Sequence, residues 1–342
     1  MKAKHRRIAA ILVLLAAAAA GYLWLVHGPT GTAVSPPAAD SSSPSPSSRQ
    51  SILAAETQPP ADRPTPTPAP VYQVEAAQPD EAAGCLQRGL ELMNAGKLLE
   101  ARGELSKAIF SGALDEAQAE QARAAAAKVA DATIFSPQIV EGDPYVFQYT
   151  FQSGEILNKV ERKLNLHVPP QLIVKINRLP NDRSIRAGAT VKMVQGPFHA
   201  IVSKSHFTID LYLARQGLDP VFVRRLKVGL GADGSTPVGA WKVGQGKKMI
   251  NATWFPPPSS EIRRPQHPGD PNYPLGKAGH WIGLVGTDPN TAPCTGYGLH
   301  GTDDPASIGR AESLGCIRLA DPDIEFVYSL LYEEWSTVQV TP

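Results

Sequence analysis

The chain has few of the residues that announce common chemistries. Three cysteines in 342 residues (Cys85, Cys294 and Cys316) are too few for a disulfide framework, and their odd number leaves one thiol unpaired unless chains cross-link. No Cys-x-x-Cys, no His-Glu-x-x-His and no Walker-type glycine–lysine loop occurs, so redox-dithiol, zinc-protease and nucleotide-binding readings lack support. No metal and no cofactor is expected. Charge of one sign is also scarce. With 33 basic and 32 acidic residues the net charge is +1, which argues against a general nucleic-acid binder and against an acid-rich disordered chain. What remains is 42% apolar residues on a chain long enough for about two domains.

These averages conceal segregation. Lys2, Lys4, Arg6 and Arg7 precede an uncharged apolar run from Ile8 to Val26. As a helix it is about 28 Å long, nearly the hydrocarbon thickness of a bilayer. Tyr22 and Trp24 stand at the far end, where amphipathic rings favour the interface. The run reads as a membrane anchor at 1–26 or as a signal peptide cleaved near Ala16–Ala20. Both readings export the rest of the chain, to the periplasm or cell-wall space. Residues 27–80 hold twelve of the 32 prolines, a serine cluster and one aromatic, Tyr72, the composition of an extended, disordered linker.

From Glu81 to Ala132 there is no proline. Leu86, Leu90 and Met93 form one helical stripe, and Leu98, Ala101, Leu105 and Ile109 a second. Gly96 separates them, and a third helix is expected from about Leu114 to Ala130. Gly96–Arg102 resembles part of a tetratricopeptide-type hairpin, so residues 81–135 read as a small helical module, either structural or presenting a surface to a protein partner. Cys85 reads as helical core.

In 145–195, Tyr145, Phe147, Tyr149 and Phe151 alternate as in a strand. Two short helices follow, carrying Ile156, Leu157, Val160 and Leu164, then Leu172, Ile173 and Ile176; a returning strand follows Ala187-Gly188. Tyr149-Thr150-Phe151-Gln152-Ser153-Gly154-Glu155, Leu172-Ile173-x-x-Ile176-Asn177 and Ile185-Arg186-Ala187-Gly188-x-x-Val191 resemble the LysM module, with Glu155-Ile156 replacing the usual Asp-Thr. The resemblance implies a βααβ fold that binds N-acetylglucosamine-containing glycan strands.

Residues 198–342 read as mostly β. Phe207, Ile209, Leu211 and Leu213 alternate, Gln216-Gly217 marks a turn, and Leu226, Val228 and Leu230 alternate on the return. A late helix is expected from Ile324 to Glu334. Within this segment His300-Gly301-Thr302 precedes Ser313-Leu314-Gly315-Cys316-Ile317-Arg318. A cysteine attacks as thiolate and benefits from an imidazole that takes its proton. His300 serves if the intervening loop folds back. The amides of Gly315 and Cys316 then offer an oxyanion site, and a carbonyl near Gly301 can orient the base. A zinc site from Cys294, His300 and Cys316 is a competing grouping, and Cys294 reads either as a buried thiol or as a disulfide partner of Cys316.

His-Gly-Thr-x-x-Pro-x-Ser-Ile-Gly followed by Ser-x-Gly-Cys-Ile-Arg is similar to the signature of YkuD-type L,D-transpeptidase catalytic domains. Gly234-Ser235-Thr236-Pro237-x-Gly239, Asn251-x-Thr253-Trp254, Asp270-Pro271-Asn272-x-Pro274-Leu275-Gly276, Trp281-Ile282-Gly283-Leu284 and Gly296-Tyr297-Gly298-x-His300 extend the likeness. Leu314 departs from it, because many members carry histidine there. The resemblance implies an enzyme that cross-links peptidoglycan stem peptides through a cysteine thioester, or an L,D-carboxypeptidase if water resolves that thioester. It implies Cys316 as nucleophile, His300 as base and later acid, Gly301 as orienting carbonyl, and Gly315 with Cys316 as oxyanion hole. Tyr297 and Arg318 become wall or substrate-carboxylate contacts, and Ser313 a brace of the loop.

Overall fold

The structure, a computed structural model, describes residues 78–256 and 260–342. The apolar run at Ile8–Val26 and nearly all of the proline-rich segment lie outside the described residues. None of the described helices is long and apolar enough to cross a membrane.

The apolar stripes become three helices: α1 (Pro79–Asn94), α2 (Leu98–Phe110) and α3 (Glu116–Thr133). Pro79 and Asp80 therefore open α1 instead of ending the linker. Gly96 turns the chain between α1 and α2 at φ 76°, a conformation that favours glycine. The third helix starts later than its alanine pattern suggests because Asp115 caps it, accepting from the Gln118 amide at 2.8 Å in a capping box.

Next come β1 (Val146–Thr150), α4 (Leu157–Lys163), α5 (Pro170–Ile176) and β2 (Thr190–Val194), with β1 antiparallel to β2. Their core residues Leu157, Val160, Leu172 and Ile173 are buried in one cluster with Phe198, Val202, Leu211 and Val327 of the C-terminal part.

That C-terminal part is an eight-stranded sheet in the order β11-β9-β8-β7-β12-β3-β4-β5. The strands are β3 (Phe198–Ser203), β4 (Thr208–Leu213), β5 (Val221–Lys227), β7 (Gly239–Met249), β8 (Trp281–Gly286), β9 (Gly298–His300), β11 (Ile317–Arg318) and β12 (Thr337–Thr341). A separate parallel pair joins β6 (Leu230–Gly231) to β10 (Ala311–Ser313). Strand β4 is buried at five of six positions instead of alternating, because it is covered on both faces, and Phe207 falls in the turn before it at φ 52°.

The helices complete the sheet. Strand β5 ends it, and such an edge exposes unpaired backbone groups. Here the Phe222 amide donates to Ser106 Oγ of α2 at 3.1 Å, and the Phe222 ring sits in the core of the three helices. Arg225 pairs with Glu120 and Arg224 with Asp131, both on α3. Part of the helices' apolar surface thus packs on the chain's own sheet edge. Cys85 is 8% exposed in the same cluster.

Two buried cations tie the segments together. Arg102 of α2 donates through Nη1 and Nη2 to Asp143 at 2.7 and 2.8 Å. Lys192 of β2 donates to the carbonyls of Thr133, Ser136 and Gln138, and burial brings its pKa down to about 8.

The late helix, α6 (Asp321–Leu330), is displaced toward the N-terminus relative to the apolar pattern. Pro322 fits its first turn, and Leu331 is already extended. Half-buried Lys248 donates to the Tyr328 and Leu331 carbonyls, satisfying acceptors that a helix end leaves open.

Candidate active site

His300 closes β9 and is register-paired with Arg318 of the adjacent parallel strand β11; Cys316 immediately precedes β11. The loop between His300 and Cys316 thus folds back and brings both to one end of neighbouring strands.

The His300 ring is buried and its Nδ1 lies 2.6 Å from the Gly301 carbonyl. A carbonyl only accepts, so Nδ1 carries the proton and Nε2 is left as the basic nitrogen. Burial first, then the nearby Arg318 charge, hold the imidazole pKa down to about 4 against the pull of the Gly301 bond. Burial pushes the half-buried Cys316 thiol up to about 11, although the Gly298 backbone and Arg318 favour its thiolate. At neutral pH the resting pair is therefore a thiol and a neutral imidazole. In this arrangement Sγ donates to the Gly296 carbonyl at 3.7 Å.

Ser313 braces the turn before Cys316. Its Oγ donates to the Cys316 carbonyl at 2.6 Å and accepts from the Gly315 amide at 3.1 Å. The Gly315 N–H is thereby engaged by the Ser313 hydroxyl. Among the described residues the Cys316 N–H donates no hydrogen bond. Thr236, quoted in the upstream motif without a role, holds the other side. Its Oγ1 donates to the Gly315 carbonyl at 2.9 Å and accepts from the Gly231 amide at 2.8 Å.

Gly315 has φ 128°, and a Cβ there would stand 2.8 Å from Tyr297 Cε1. Tyr297 is thus the wall against which the turn packs; burial and the neighbouring Cys294 and Cys316 raise its pKa. Arg318 Nε is buried without a hydrogen-bond partner, while its charge is felt at both His300 and Cys316. Cys294 is partly buried and donates to the Asn290 carbonyl at 3.5 Å. Among the described residues no group of three His, Cys, Asp or Glu side chains is placed to hold a metal ion, so Cys294, His300 and Cys316 do not assemble as the competing zinc grouping. Leu314 is 54% exposed beside the nucleophile. A cleft of about 620 Å³ opens beside Gly301, lined by Tyr273, Lys277, Thr302, Asp303 and Asp321 among others.

Residues 197–340 match the YkuD family, described as the L,D-transpeptidase catalytic domain. The chain is 26% identical over 199 residues to "Probable L,D-transpeptidase YbiS" of Escherichia coli strain K12, covering 56% of this chain and 51% of that protein. It is 25% identical over 198 residues to "Probable L,D-transpeptidase ErfK/SrfK" of Salmonella typhimurium strain LT2, covering 56% and 50%. The chain thus spans about half the length of these curated relatives. Among solved structures, an L,D-transpeptidase from Mycobacterium smegmatis aligns with 14% identity and a TM-score of 0.33, over 45% of this chain and 64% of that one. The match to the YkuD family, the L,D-transpeptidase catalytic domain, spans residues 197–340 of this chain.

Proposed function

We propose that the chain cross-links peptidoglycan by acyl transfer through Cys316. The observation that supports this reading most is the alignment of His300: its Nδ1 is held by the Gly301 carbonyl at 2.6 Å, on the strand beside the one that Cys316 precedes. As Sγ attacks the carbonyl of the L-centre of diaminopimelate in a tetrapeptide stem, its proton passes to Nε2 of His300. The oxyanion is met by the Cys316 amide. Collapse breaks the C–N bond, His300 returns the proton to the departing D-alanine amine, and the acyl group remains as a thioester on Sγ. The side-chain amine of a second stem then attacks the thioester, gives a proton to His300, and releases Sγ with a 3→3 link. Arg318, with an unpartnered buried Nε, suits a stem carboxylate, and Tyr297 suits the wall of the donor site.

The βααβ segment at 145–195 is the candidate glycan-binding module, supported by its β1–α4–α5–β2 order and antiparallel pairing. The apolar run at 8–26 would tether the enzyme to the membrane, with the folded part in the periplasm or wall space.

The test uses the purified full chain with disaccharide-tetrapeptide. A dimer that has lost one D-alanine supports cross-linking. Tripeptide monomer without dimer would assign the chain to L,D-carboxypeptidases, and binding to wall sacculi without turnover would make it a non-catalytic wall binder.

A further inference from the structure

Trp281 stands between the catalytic pair and the long excursion that joins β7 to β8. It is register-paired with His300 across β8 and β9, and with Met249 across β7 and β8. Paired residues of a sheet share a face, so the indole lies on the same side as the imidazole. The two ring planes are 16° from parallel with centroids 5.7 Å apart. The indole also packs against the small cluster of Ala252, Tyr273 and Leu275 from the excursion.

Two glycines make room for it. A Cβ on Gly298 would stand 2.7 Å from the Ile282 carbonyl oxygen and 2.8 and 3.0 Å from indole carbons Cζ2 and Cη2, and one on Gly283 would stand 3.0 Å from both Lys247 Cβ and the indole Nε1. Neither glycine is among those at positive φ, so close packing of the indole together with the Ile282 carbonyl and the Lys247 side chain, not backbone freedom, calls for glycine at both positions.

We propose that Trp281 is a positioning residue that fixes the plane of the His300 imidazole and so its alignment with Cys316. The inference rests on the reading of those two residues as base and nucleophile. The Gly301 carbonyl anchors the ring at Nδ1, but one hydrogen bond leaves the ring free to tilt about it. A stacked indole removes that freedom. It also presents an aromatic face to the ring at the moment His300 becomes a cation, an attraction absent from the neutral resting state.

The experiment compares the full chain with Trp281→Leu, Trp281→Phe and His300→Ala. The readouts are kcat and KM for D-alanine release, and the pH profile of Cys316 alkylation by iodoacetamide, which needs no wall substrate. Trp281→Leu should lower kcat roughly 10- to 100-fold with little change in KM, the cost of misplacing a catalytic group by about an ångström. Its alkylation profile should move toward that of His300→Ala. Trp281→Phe, which keeps a ring, should recover most of both. A wild-type profile and kcat in Trp281→Leu, or a Phe variant as impaired as Leu, would overturn the proposal. Alkylation unaffected by His300→Ala would overturn the underlying assignment of base and nucleophile, a separate failure.

Discussion

Replacing Ser313 by Ala removes one oxygen and breaks two hydrogen bonds of the nucleophile turn. Ser313 is 3% exposed, with Oγ 2.6 Å from the Cys316 carbonyl and 3.1 Å from the Gly315 amide. Both partners are backbone groups that cannot be deleted with it. Leaving a buried polar group unpaired costs roughly 1–3 kcal/mol, so the variant, which leaves two, should lose about 2–6 kcal/mol if the turn keeps its shape and less if it relaxes toward water. Relaxation carries its own penalty, because the turn presents the Cys316 amide and Sγ together. Stability is read from the urea midpoint, and function from the single-turnover rate of D-alanine release. The expected result is a lower midpoint together with a release rate down at least tenfold, the equivalent of about 1.4 kcal/mol in the transition state. Ser313→Ala with wild-type midpoint and wild-type release would refute the argument that this hydroxyl builds the turn.

Other perturbations follow from the same geometry. Gly315→Ala places a Cβ 2.8 Å from Tyr297 Cε1 and 3.0 Å from the Ser235 carbonyl at φ 128°, so it should abolish thioester formation, observed as loss of the acyl-enzyme mass. Asp143→Ala leaves Arg102 buried without its bidentate partner and should lower stability by about 3–5 kcal/mol in urea unfolding, whereas an unchanged midpoint would mean that the pair is not a tie. Acid should destabilise the fold through histidines kept neutral by burial: His199 and His300 are both held at about 4, below the usual 6.5. The unfolded chain then binds more protons between those values, so their contribution is complete above about pH 6.5 and disappears as pH falls toward 4, roughly 3 kcal/mol for each ring. Urea midpoints that stay level from pH 7 to 4.5 would contradict this.

How much of this could be read from residues alone depended on whether the information was local. Leu86, Leu90 and Met93, or Leu157 and Val160, report helices because one face must be apolar, and those helices are present. Thr208–Leu213 misled because alternation assumes one wet face, whereas β4 is covered on both. The late helix moved because Pro322 suits a first turn and Lys248, distant in sequence, caps its end. The docking of α2 onto β5 through Ser106 and Phe222 joins residues 116 apart, which no local pattern encodes. In the site, the pairing of His300 with the Gly301 carbonyl is a contact between chain neighbours and was within reach of the motif. The bracing of the turn by Ser313, two residues from Gly315, was likewise local, whereas the clearance that Gly283 and Gly298 give Trp281 depends on three-dimensional crowding and was not.

The central claim is that Cys316 transfers an acyl group from one stem to the amine of another. Mass analysis of the products from a defined tetrapeptide donor, with the full chain and its Cys316→Ala variant side by side, tests it most directly. The account predicts a dimer of the mass of two donors less one D-alanine with the wild-type chain, and unreacted donor with the variant. Dimer formation that survives Cys316→Ala would contradict it.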